Sequence, residues 1–322
     1  PHALVMHDRV TGLPGLCSAA GPSLWASSAT TRERRLLVAI SAHVSDPKGL
    51  LLLQRATCSV LSLHAEAAVL VVDNASPPPY AAQLRLLAEG GTRVHVCRSP
   101  RASGWAFGVL QQASEWVVRY GATHFAYLQH SMALRRPLPL APLPHNCSLA
   151  CYQHFPGRNF DSEERAKHWL LKDWVVREWA RLGGTYPTNN GFHGIYSHGF
   201  VATAQALAAL ATRGLFQVRV CTKTQDEGSE RLLGLAAESV VGDLQHLCTL
   251  DGPLFHPSRS EAHEQEALHV DKISHIRPSN SVWKAGTSTA TYGTFNATQL
   301  AAYVRARCPT LMLGLGGVTG EV

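Results

Sequence analysis

The sequence lacks the features that identify several large classes of protein. No apolar run reaches the roughly 20 residues that span a bilayer, so we expect no membrane span, and no signal peptide is visible at Pro1. The eight cysteines form no C-x-x-C pair, which argues against a zinc-ribbon or thioredoxin-like site. His263 and His269 do not form H-E-x-x-H, and the glycines from Gly314 to Gly317 precede no predicted helix. Metalloprotease and dinucleotide-binding motifs are therefore absent.

Charged residues are also scarce, at 16%, but they are unbalanced and give a formal net charge of +6. Such a balance favours anionic ligands, among them nucleotide phosphates, nucleic acids and membrane surfaces. The basic residues are scattered, and their densest cluster, at Arg32, Arg34 and Arg35, is too short for a nucleic-acid-binding arm. We therefore expect no nucleic-acid partner. Either a small anionic ligand or a solvated surface accounts for the charge.

Hydrophobic residues are plentiful, at 45%, which allows a sizeable core and excludes global disorder. Residues 1–35 are rich in glycine, proline, serine and alanine without periodicity, and this composition predicts an irregular N-terminal arm. Residues 36–250 carry the patterns of regular structure and are predicted to form one domain. Residues 251–322 are predicted to be a C-terminal extension that wraps the core, with one helix near 298–307.

Short apolar runs alternate with helical patterns through the first half of this domain. Such runs are typical of buried parallel strands. Strands are predicted at 36–41, 67–72, 92–97 and 124–128, and helices at 48–66, 80–89 and 103–120. The alternation indicates an α/β fold with a parallel sheet.

The second half of the domain is less regular. Strands are predicted at 149–153 and 218–221, helices at 162–182, 200–213 and 230–238, and loops at 183–199 and 222–229. Trp169, Trp174 and Trp179 lie on the first of these helices. They are predicted to be core or interface residues, because aromatic side chains bury large areas.

Polar residues follow three of the predicted strands, at the edge where open α/β sheets bind ligands. They are Ser41 and His43 after the first strand, Asp73, Asn74 and Ser76 after the second, and Gln129, His130 and Ser131 after the fourth. A carboxylate such as Asp73 can accept hydrogen bonds from a ribose or from the imide N–H of a uracil. The same residues are also typical of an Asx-turn that ends a strand.

The run from Val71 to Ser76, V-V-D-N-A-S, resembles the V-D-N-x-S motif that follows the second strand of family 2 glycosyltransferases and their relatives. Residues 101–108 lie where those enzymes carry a glycine-rich segment, and the resemblance implies donor binding by Arg101 and Gly104. A capped helix rich in small residues would give the same pattern. Over residues 36–240 the resemblance implies a GT-A (Rossmann-like) fold, a mostly parallel sheet flanked by helices. Its nucleotide-binding half would be 36–135 and its acceptor-side half 136–250.

The sequence departs from that family where the family carries D-x-D. The carboxylates of D-x-D hold Mn²⁺ or Mg²⁺ against the donor diphosphate, but here the positions are Gln129, His130 and Ser131. Hard divalent cations prefer carboxylate oxygens, so we expect no required metal or other cofactor. The diphosphate would then be neutralised by basic side chains such as Arg135 and Arg136. The alternatives are a site for Mn²⁺ or Mg²⁺, a softer metal site at His130, and lost activity.

Two later segments resemble the acceptor side of the same family. His193, Gly194 and His198 lie in a loop that shapes the sugar and acceptor pocket in relatives, although a structural role for each histidine is at least as common. Inverting transfer needs a carboxylate base, and the candidates are Asp226, Glu227 and Glu230. The run E-R-L-L-G resembles the E-R-x-x-G form of some polysaccharide-type glycosyltransferases and favours Glu230. An acidic helix N-terminus is the alternative explanation.

The resemblance implies an inverting glycosyltransferase. Its donor would be a UDP-linked nucleotide sugar, and its acceptor would be a glycan or glycoprotein. The rivals are a catalytically silent nucleotide- or carbohydrate-binding module and a sugar-phosphate nucleotidyltransferase. The second rival normally carries a glycine-rich basic loop after the first strand, which is missing here. Two glycosylation sequons, at Asn146 and Asn296, and the even cysteine count favour the secretory pathway (Golgi lumen) over the cytoplasm.

Overall fold

The computed structural model describes residues 35–89, 93–99, 105–140, 143, 147–156, 165–187, 192–241, 248, 250, 270–273, 292–293 and 297–312. Most of the predicted N-terminal arm and of the C-terminal extension lies outside these residues, so the domain boundaries stay predictions. Within the described ranges, no helix is both long enough and apolar enough to cross a membrane.

Eleven strands and seven α-helices are described below in chain order. The strands are β1 (Leu36–Ala42), β2 (Ala68–Asp73), β3 (Val94–Arg98), β4 (His124–Gln129), β5 (Met132–Leu134), β6 (Leu149–Cys151), β7 (His154–Pro156), β8 (His193–Ile195), β9 (Phe200–Thr203), β10 (Val270–Ile273) and β11 (Tyr292–Gly293). The helices are α1 (Pro47–Leu63), α2 (Pro78–Glu89), α3 (Trp105–Tyr120), α4 (Arg165–Arg181), α5 (Ala204–Thr212), α6 (Lys223–Val241) and α7 (Ala297–Arg307).

Six strands form the main sheet, in the order β3-β2-β1-β4-β9-β6. The first four are parallel, whereas β9 runs antiparallel to β4, and β6 antiparallel to β9. Every residue of β2 is buried, and burial on both faces explains its unbroken apolar run. Separate small sheets pair β5 with β10, β10 with β11, and β7 with β8. The predicted α/β class, with a mostly parallel sheet flanked by helices, is confirmed.

Alternate side chains of β1 enter two cores on opposite faces of the sheet. Leu37 and Ala39 belong to the core that they form with α3, α4, α5 and α6. Leu36 and Val38 belong to the core that contains residues of α1, α2 and α7. The sheet is therefore covered by helices on both sides.

The predicted core role of the tryptophans on α4 is confirmed for two of the three. Trp174 and Trp179 are buried in the core on the α3 side of the sheet. The side chain of Trp169 lies outside the described residues.

Four predictions for the second half of the domain are wrong. The predicted loop 183–199 contains strand β8 at His193–Ile195, which pairs with β7. Residues 218–221 do not form a strand, because Val218 and Val220 are buried against the core without strand partners in the described sheets. Residues 200–203 are not the start of a helix but strand β9, which pairs with β4 through backbone hydrogen bonds. Residues 223–229 are not a loop but the first two turns of α6. The Thr222 Oγ1 atom accepts a hydrogen bond from the Gln225 N–H and caps this helix.

Disulfide bonds tie distant parts of the chain to this core. Cys58 on α1 is bonded to Cys308, which directly follows α7, at a sequence separation of 250 residues. Cys147 is bonded to Cys248 beside strand β6. Of the other described cysteines, Cys151 is buried, and Cys221 is free and exposed.

Candidate functional site

The polar residues predicted at the strand ends lie side by side at the carboxyl edge of the sheet. Ala42 of β1 is in register with Asp73 of β2, and Ser41 of β1 is in register with Gln129 of β4. The His130 N–H donates to the Ser41 carbonyl oxygen over 2.9 Å, which connects the end of β4 to the end of β1. We call this group of strand-end residues the sheet edge: Ser41, His43, Asp73, Asn74, Ser76, Gln129, His130 and Ser131.

Asp73 and Ser76 build a tight turn at the end of β2. The Asp73 Oδ1 atom accepts the Ser76 N–H over 2.8 Å, and the Ser76 Oγ atom accepts the Val44 N–H over 2.9 Å. Both side chains are buried. This is the Asx-turn alternative, and its hydrogen bonds hold the loops after β1 and β2 together.

Asn74 contributes a buried side-chain acceptor to the sheet edge. Its Oδ1 atom is buried and, among the described residues, accepts no hydrogen bond. Its backbone is fixed, because its N–H donates to the Ala42 carbonyl oxygen over 2.7 Å and its carbonyl oxygen accepts from His43 Nδ1 over 2.9 Å. A buried acceptor without a donor is energetically costly, so the Oδ1 atom is a natural contact for a ligand N–H or O–H.

The turn between β4 and β5 contains the residues that replace D-x-D. Ser131 is buried, and Gln129 and His130 are partly exposed. Their amide, imidazole and hydroxyl groups include no carboxylate, so they do not fit a hard divalent cation. Within the described ranges, no cluster of three His, Cys, Asp or Glu side chains is arranged to hold a metal ion.

The first turns of α6 bring acidic side chains to the same region. Asp226 is buried, and its Oδ2 atom accepts from the Lys223 Nζ atom over 2.9 Å. Burial lowers the pKa of Lys223, but the charges of Asp226, Glu230 and Glu227 outweigh burial and raise it. The Lys223 ammonium also lies 5.9 Å from the ring centre of Trp105, the first residue of α3.

Tyr127 connects these carboxylates to the sheet edge. It is fully buried on β4, and burial raises the pKa of its hydroxyl group. A hydrogen bond to the Ser41 side chain opposes that shift, whereas the negative charges of Asp226 and Glu230 add to it. Asp226 and Glu230 therefore lie within electrostatic range of a tyrosine that is bonded to the sheet edge.

Glu230 is held by a segment with an uncommon backbone. Its Oε1 atom accepts the Ser197 N–H over 2.8 Å. Ser197 and the next residue, His198, have φ angles of 52° and 56°, a conformation that costs each non-glycine residue about 1–3 kcal/mol. The Ser229 hydroxyl donates to the Asp226 carbonyl oxygen over 2.7 Å, so it must accept the Nε2–H of His198, at 2.6 Å. The strained turn is therefore fixed by α6 at two adjacent positions.

Glu227 and Arg231 occupy another side of α6. The Arg231 Nη1 atom donates to the Glu227 carbonyl oxygen over 2.9 Å, and its guanidinium lies 4.9 Å from the ring centre of Phe155. Burial lowers the pKa of Arg231, while the charges of Glu230 and Glu227 oppose that shift.

His193 and Gly194, predicted for the acceptor pocket, lie on β8 and contact the C-terminal half of α6. The Glu238 Oε1 atom accepts both the His193 N–H, at 2.9 Å, and the His193 Nδ1, at 3.3 Å. Glu238 is 1% exposed. The His154 ring stands perpendicular to the His193 ring, with 4.4 Å between the ring centres.

His154 makes stability depend on pH. Burial, and then the neighbouring His193, lower the pKa of His154 from 6.5 to about 4. The unfolded chain therefore takes up this proton at higher pH than the folded protein does. The free energy of unfolding therefore has its full value above about pH 6.5 and decreases as the pH falls toward 4. The expected decrease is about 1–3 kcal/mol. Urea unfolding at pH 7.5 and pH 4.5 measures the loss.

The variant His154→Gln should lose less stability between the two pH values than the original chain. His43→Gln, a change at an exposed histidine, is the matched control and should keep the original pH dependence. Equal losses in the His154→Gln variant and the original chain would contradict the assignment to His154.

Five residues of the site were not predicted from the sequence: Tyr127, Lys223, Ser197, Ser229 and Glu238. The spacing of Lys223 and Asp226, three residues apart on a helix, was a detectable signal for an ion pair. Glu238 carried no such signal, because its partner His193 lies 45 residues earlier in the chain. Arg101 and Gly104 lie outside the described residues.

Comparison with known proteins gives a distant similarity among solved structures. No family model matches the chain, and no curated protein matches it. Among solved structures, the chain is similar to a crystal structure of S. aureus TarS 1-349, with 9% sequence identity and a TM-score of 0.37. The similarity covers 62% of this chain and 55% of that chain, so the chain spans little more than half of that structure's length. The fold class rests on the strand order and register of the sheet.

Proposed function

We propose that this chain is an inverting glycosyltransferase that transfers a sugar from a nucleotide sugar, UDP-linked, to a hydroxyl group of a glycan or glycoprotein. The observation that carries the proposal is the position of Asp226 and Glu230 on either side of Ser229, whose hydroxyl is 2.6 Å from the Nε2 atom of His198. The His198 ring centre lies 6.4 Å from that of Tyr127, the partner of Ser41 at the sheet edge. A donor lying across the sheet edge would have carboxylates beside it. That arrangement suits a displacement in which a base removes the proton of the attacking hydroxyl.

The donor nucleotide is proposed to lie across the sheet edge, with Arg101 and Gly104 adjoining it. The strand-end motif that resembles family 2 glycosyltransferases supports this placement, as does the general preference of open α/β sheets for ligands at this edge. Asn74 Oδ1 is the acceptor proposed for a nucleobase N–H, because it is buried and accepts no hydrogen bond within the described part of the chain.

Glu230 is proposed as the base in preference to its two neighbours. Asp226 is buried and already paired with Lys223. Glu230 is partly exposed, and the Ser197 N–H fixes one of its oxygens. A base that is both oriented and partly exposed fits the geometric requirement for proton transfer.

The proposed step balances without a further reactant. The acceptor oxygen bonds to the anomeric carbon as its proton passes to the Glu230 carboxylate. The bond between the anomeric carbon and the diphosphate oxygen breaks, and its electron pair leaves with the nucleoside diphosphate. Attack from the face opposite the leaving group inverts the anomeric centre. No metal enters this step, because Gln129, His130 and Ser131 do not fit a hard cation.

Cationic side chains are proposed to balance the charge of the leaving diphosphate. Lys223 stands beside Trp105, where α3 follows the proposed donor segment at residues 101–104. Arg135 and Arg136 directly follow β5. Preorganised positive charge of this kind stabilises a developing anion.

The disulfides support a proposed location in the secretory pathway, in the Golgi lumen, rather than in the cytoplasm. Cys58–Cys308 and Cys147–Cys248 each join segments at least 101 residues apart. Such bonds form and persist in oxidising compartments.

Calorimetric titration with UDP and with GDP, each with and without Mn²⁺, tests the proposed donor site. We expect UDP to bind more tightly than GDP, with a dissociation constant that Mn²⁺ leaves unchanged. Asn74→Leu should weaken UDP binding by about 5- to 150-fold, the loss expected when one buried hydrogen bond of about 1–3 kcal/mol is removed. Binding only in the presence of Mn²⁺ would contradict the metal-independent mechanism, and no nucleotide binding would contradict the donor site.

Gln83→Leu is the matched control for this titration. The Gln83 Oε1 atom is also buried and accepts no hydrogen bond in the described structure. Gln83 lies on α2, however, where it lines a pocket together with Leu50 of α1 and Leu311. UDP affinity should therefore be unchanged in Gln83→Leu.

A catalytically silent nucleotide- or carbohydrate-binding module is the second candidate function. The absence of a carboxylate from Gln129, His130 and Ser131 favours it. Release of UDP from a UDP-sugar, with or without an acceptor, would eliminate this candidate.

A further inference from the structure

We propose that Glu238 is a positioning residue that holds the segment 193–198 on α6 and thereby fixes Glu230. The proposal rests on the proposed function for its catalytic meaning. Its structural content, a coupling between Glu238 and the Ser197–Glu230 hydrogen bond, can be tested without any enzymatic activity.

One face of α6 contacts this segment at three successive turns. Glu230, Gly234 and Glu238 are spaced four residues apart, so they lie on the same side of the helix. Glu230 accepts the Ser197 N–H, and Glu238 accepts the His193 N–H and Nδ1. The segment therefore runs along the helix with a carboxylate at each end.

Gly234 lies between Glu230 and Glu238 on α6 and makes a close approach of β8 to this helix possible. A Cβ atom at this position would collide with the His193 carbonyl oxygen and would also approach Gly194. The backbone of β8 thus touches the helix backbone directly. The absence of a side chain at residue 234 sets the distance at which Glu238 and Glu230 reach their partners.

The turn between the two contacts cannot hold itself in place by local preference. Ser197 and His198 both adopt left-handed backbone angles, which are unfavourable for residues other than glycine. Such a conformation persists only where its surroundings over-determine it. Glu238 anchors the start of the segment, and Ser229 and Glu230 anchor its end.

The chemistry of the Glu238 contact suits an anchor rather than a base. Glu238 is 1% exposed, so the hydroxyl group of a sugar acceptor does not reach it. Its Oε1 atom already accepts from two donors of one residue, the N–H and the Nδ1 of His193. Hydrogen bonds to a buried carboxylate are strong and directional, which fits a group that sets a backbone position.

Hydrogen exchange of the backbone amides in the full chain is the deciding measurement. In Glu238→Leu, which removes both acceptor contacts, we expect the amides of His193 and Ser197 to exchange at least about tenfold faster, as for a hydrogen bond of about 1.4 kcal/mol. Glu238→Gln keeps an oxygen acceptor for the His193 N–H and should restore protection of Ser197. Ser239→Ala, on the same helix beside Glu238, is the matched control and should leave both amides unchanged.

Gly234→Ala provides a second variant in which Glu238 itself is retained. Because the added Cβ atom displaces the His193 backbone, we expect faster exchange at Ser197 here as well. If Ser197 keeps its protection in both Glu238→Leu and Gly234→Ala, the proposed coupling is wrong, since the two carboxylate contacts are then independent.

Transfer kinetics with UDP-glucose, UDP-galactose and UDP-N-acetylglucosamine connect the coupling to the proposed function. With whichever of these donors is turned over, Glu238→Leu should lower kcat at least about tenfold while UDP affinity stays within about twofold, and Glu238→Gln should recover most of the rate. Unchanged kcat beside faster Ser197 exchange would contradict a catalytic role for the coupling. Absence of turnover in the original chain would contradict the proposed function, and the exchange result would still decide the role of Glu238.

Discussion

Replacing Glu230 by glutamine is expected to lower the rate of sugar transfer by about 100- to 10,000-fold, the contribution of a positioned general base. The amide keeps the size of the side chain and an oxygen that can accept the Ser197 N–H, so the strained turn should stay in place. It cannot take up the proton of the acceptor hydroxyl. The loss should therefore appear in kcat, while UDP binding measured by calorimetry is unchanged.

Two further variants make this result specific to Glu230. Glu115→Gln, the same chemical change at an exposed position on α3, is the control and should keep full turnover. Asp226→Asn removes the negative charge from the ion pair with Lys223 and tests the neighbouring carboxylate as the base. Full turnover in Glu230→Gln together with a large loss in Asp226→Asn would assign the base to Asp226 instead.

Removing the disulfide between Cys58 and Cys308 is expected to lower the free energy of unfolding by about 2–5 kcal/mol. The bond closes a loop of 250 residues, and a cross-link of that span removes many conformations from the unfolded chain. The double variant Cys58→Ala/Cys308→Ala, compared with the original chain by urea unfolding under oxidising conditions, measures the change.

The position of α7 explains why this bond matters locally as well. Leu300 packs against Leu51 and Leu52 of α1, and Val304 is fully buried. Without the cross-link, α7 would still contact α1 through these apolar side chains, and the Gln54 Nε2–H would still donate to the carbonyl oxygen of Leu311, which follows α7. We therefore expect amides of α7 to show the largest increase in hydrogen exchange.

Cys221→Ala is the control for the disulfide variant, because Cys221 is free and exposed. Its free energy of unfolding should equal that of the original chain. If the double variant is as stable as the original chain, this bond does not stabilise the protein. The same conclusion follows if adding a reductant leaves the free energy of unfolding of the original chain unchanged.

The first half of the fold could be predicted closely because its signals are local. β1, β2 and β4 were found within a residue or two of their ends, since each is a short apolar run that stops at polar residues. Parallel strands that are buried on both faces leave this pattern in any surroundings. The sheet edge followed directly, because residues at the carboxyl ends of neighbouring parallel strands meet.

The second half could not be predicted as well, because pairing and packing override local preference there. Phe200–Thr203 runs directly into the alanine-rich helix α5, yet it pairs with the edge of β4. Val218 and Val220 alternate like a strand, but they fill the core without strand partners in the described sheets. β-Sheet formation depends on available neighbours, which the local sequence does not encode.

The sequence by itself determined the α/β class, the polar residues of the sheet edge and the three acidic candidates on α6, because each depends on residue type and short spacing. Only the tertiary structure decided that Glu230 is oriented by the Ser197 N–H and that Glu238 accepts hydrogen bonds from His193. Those contacts join residues 33 to 45 positions apart, and hydrogen-bond geometry at such separations is set by how α6 packs on β8. The physical reason is that a carboxylate's role depends on its burial and its donors, and both are properties of the folded surroundings.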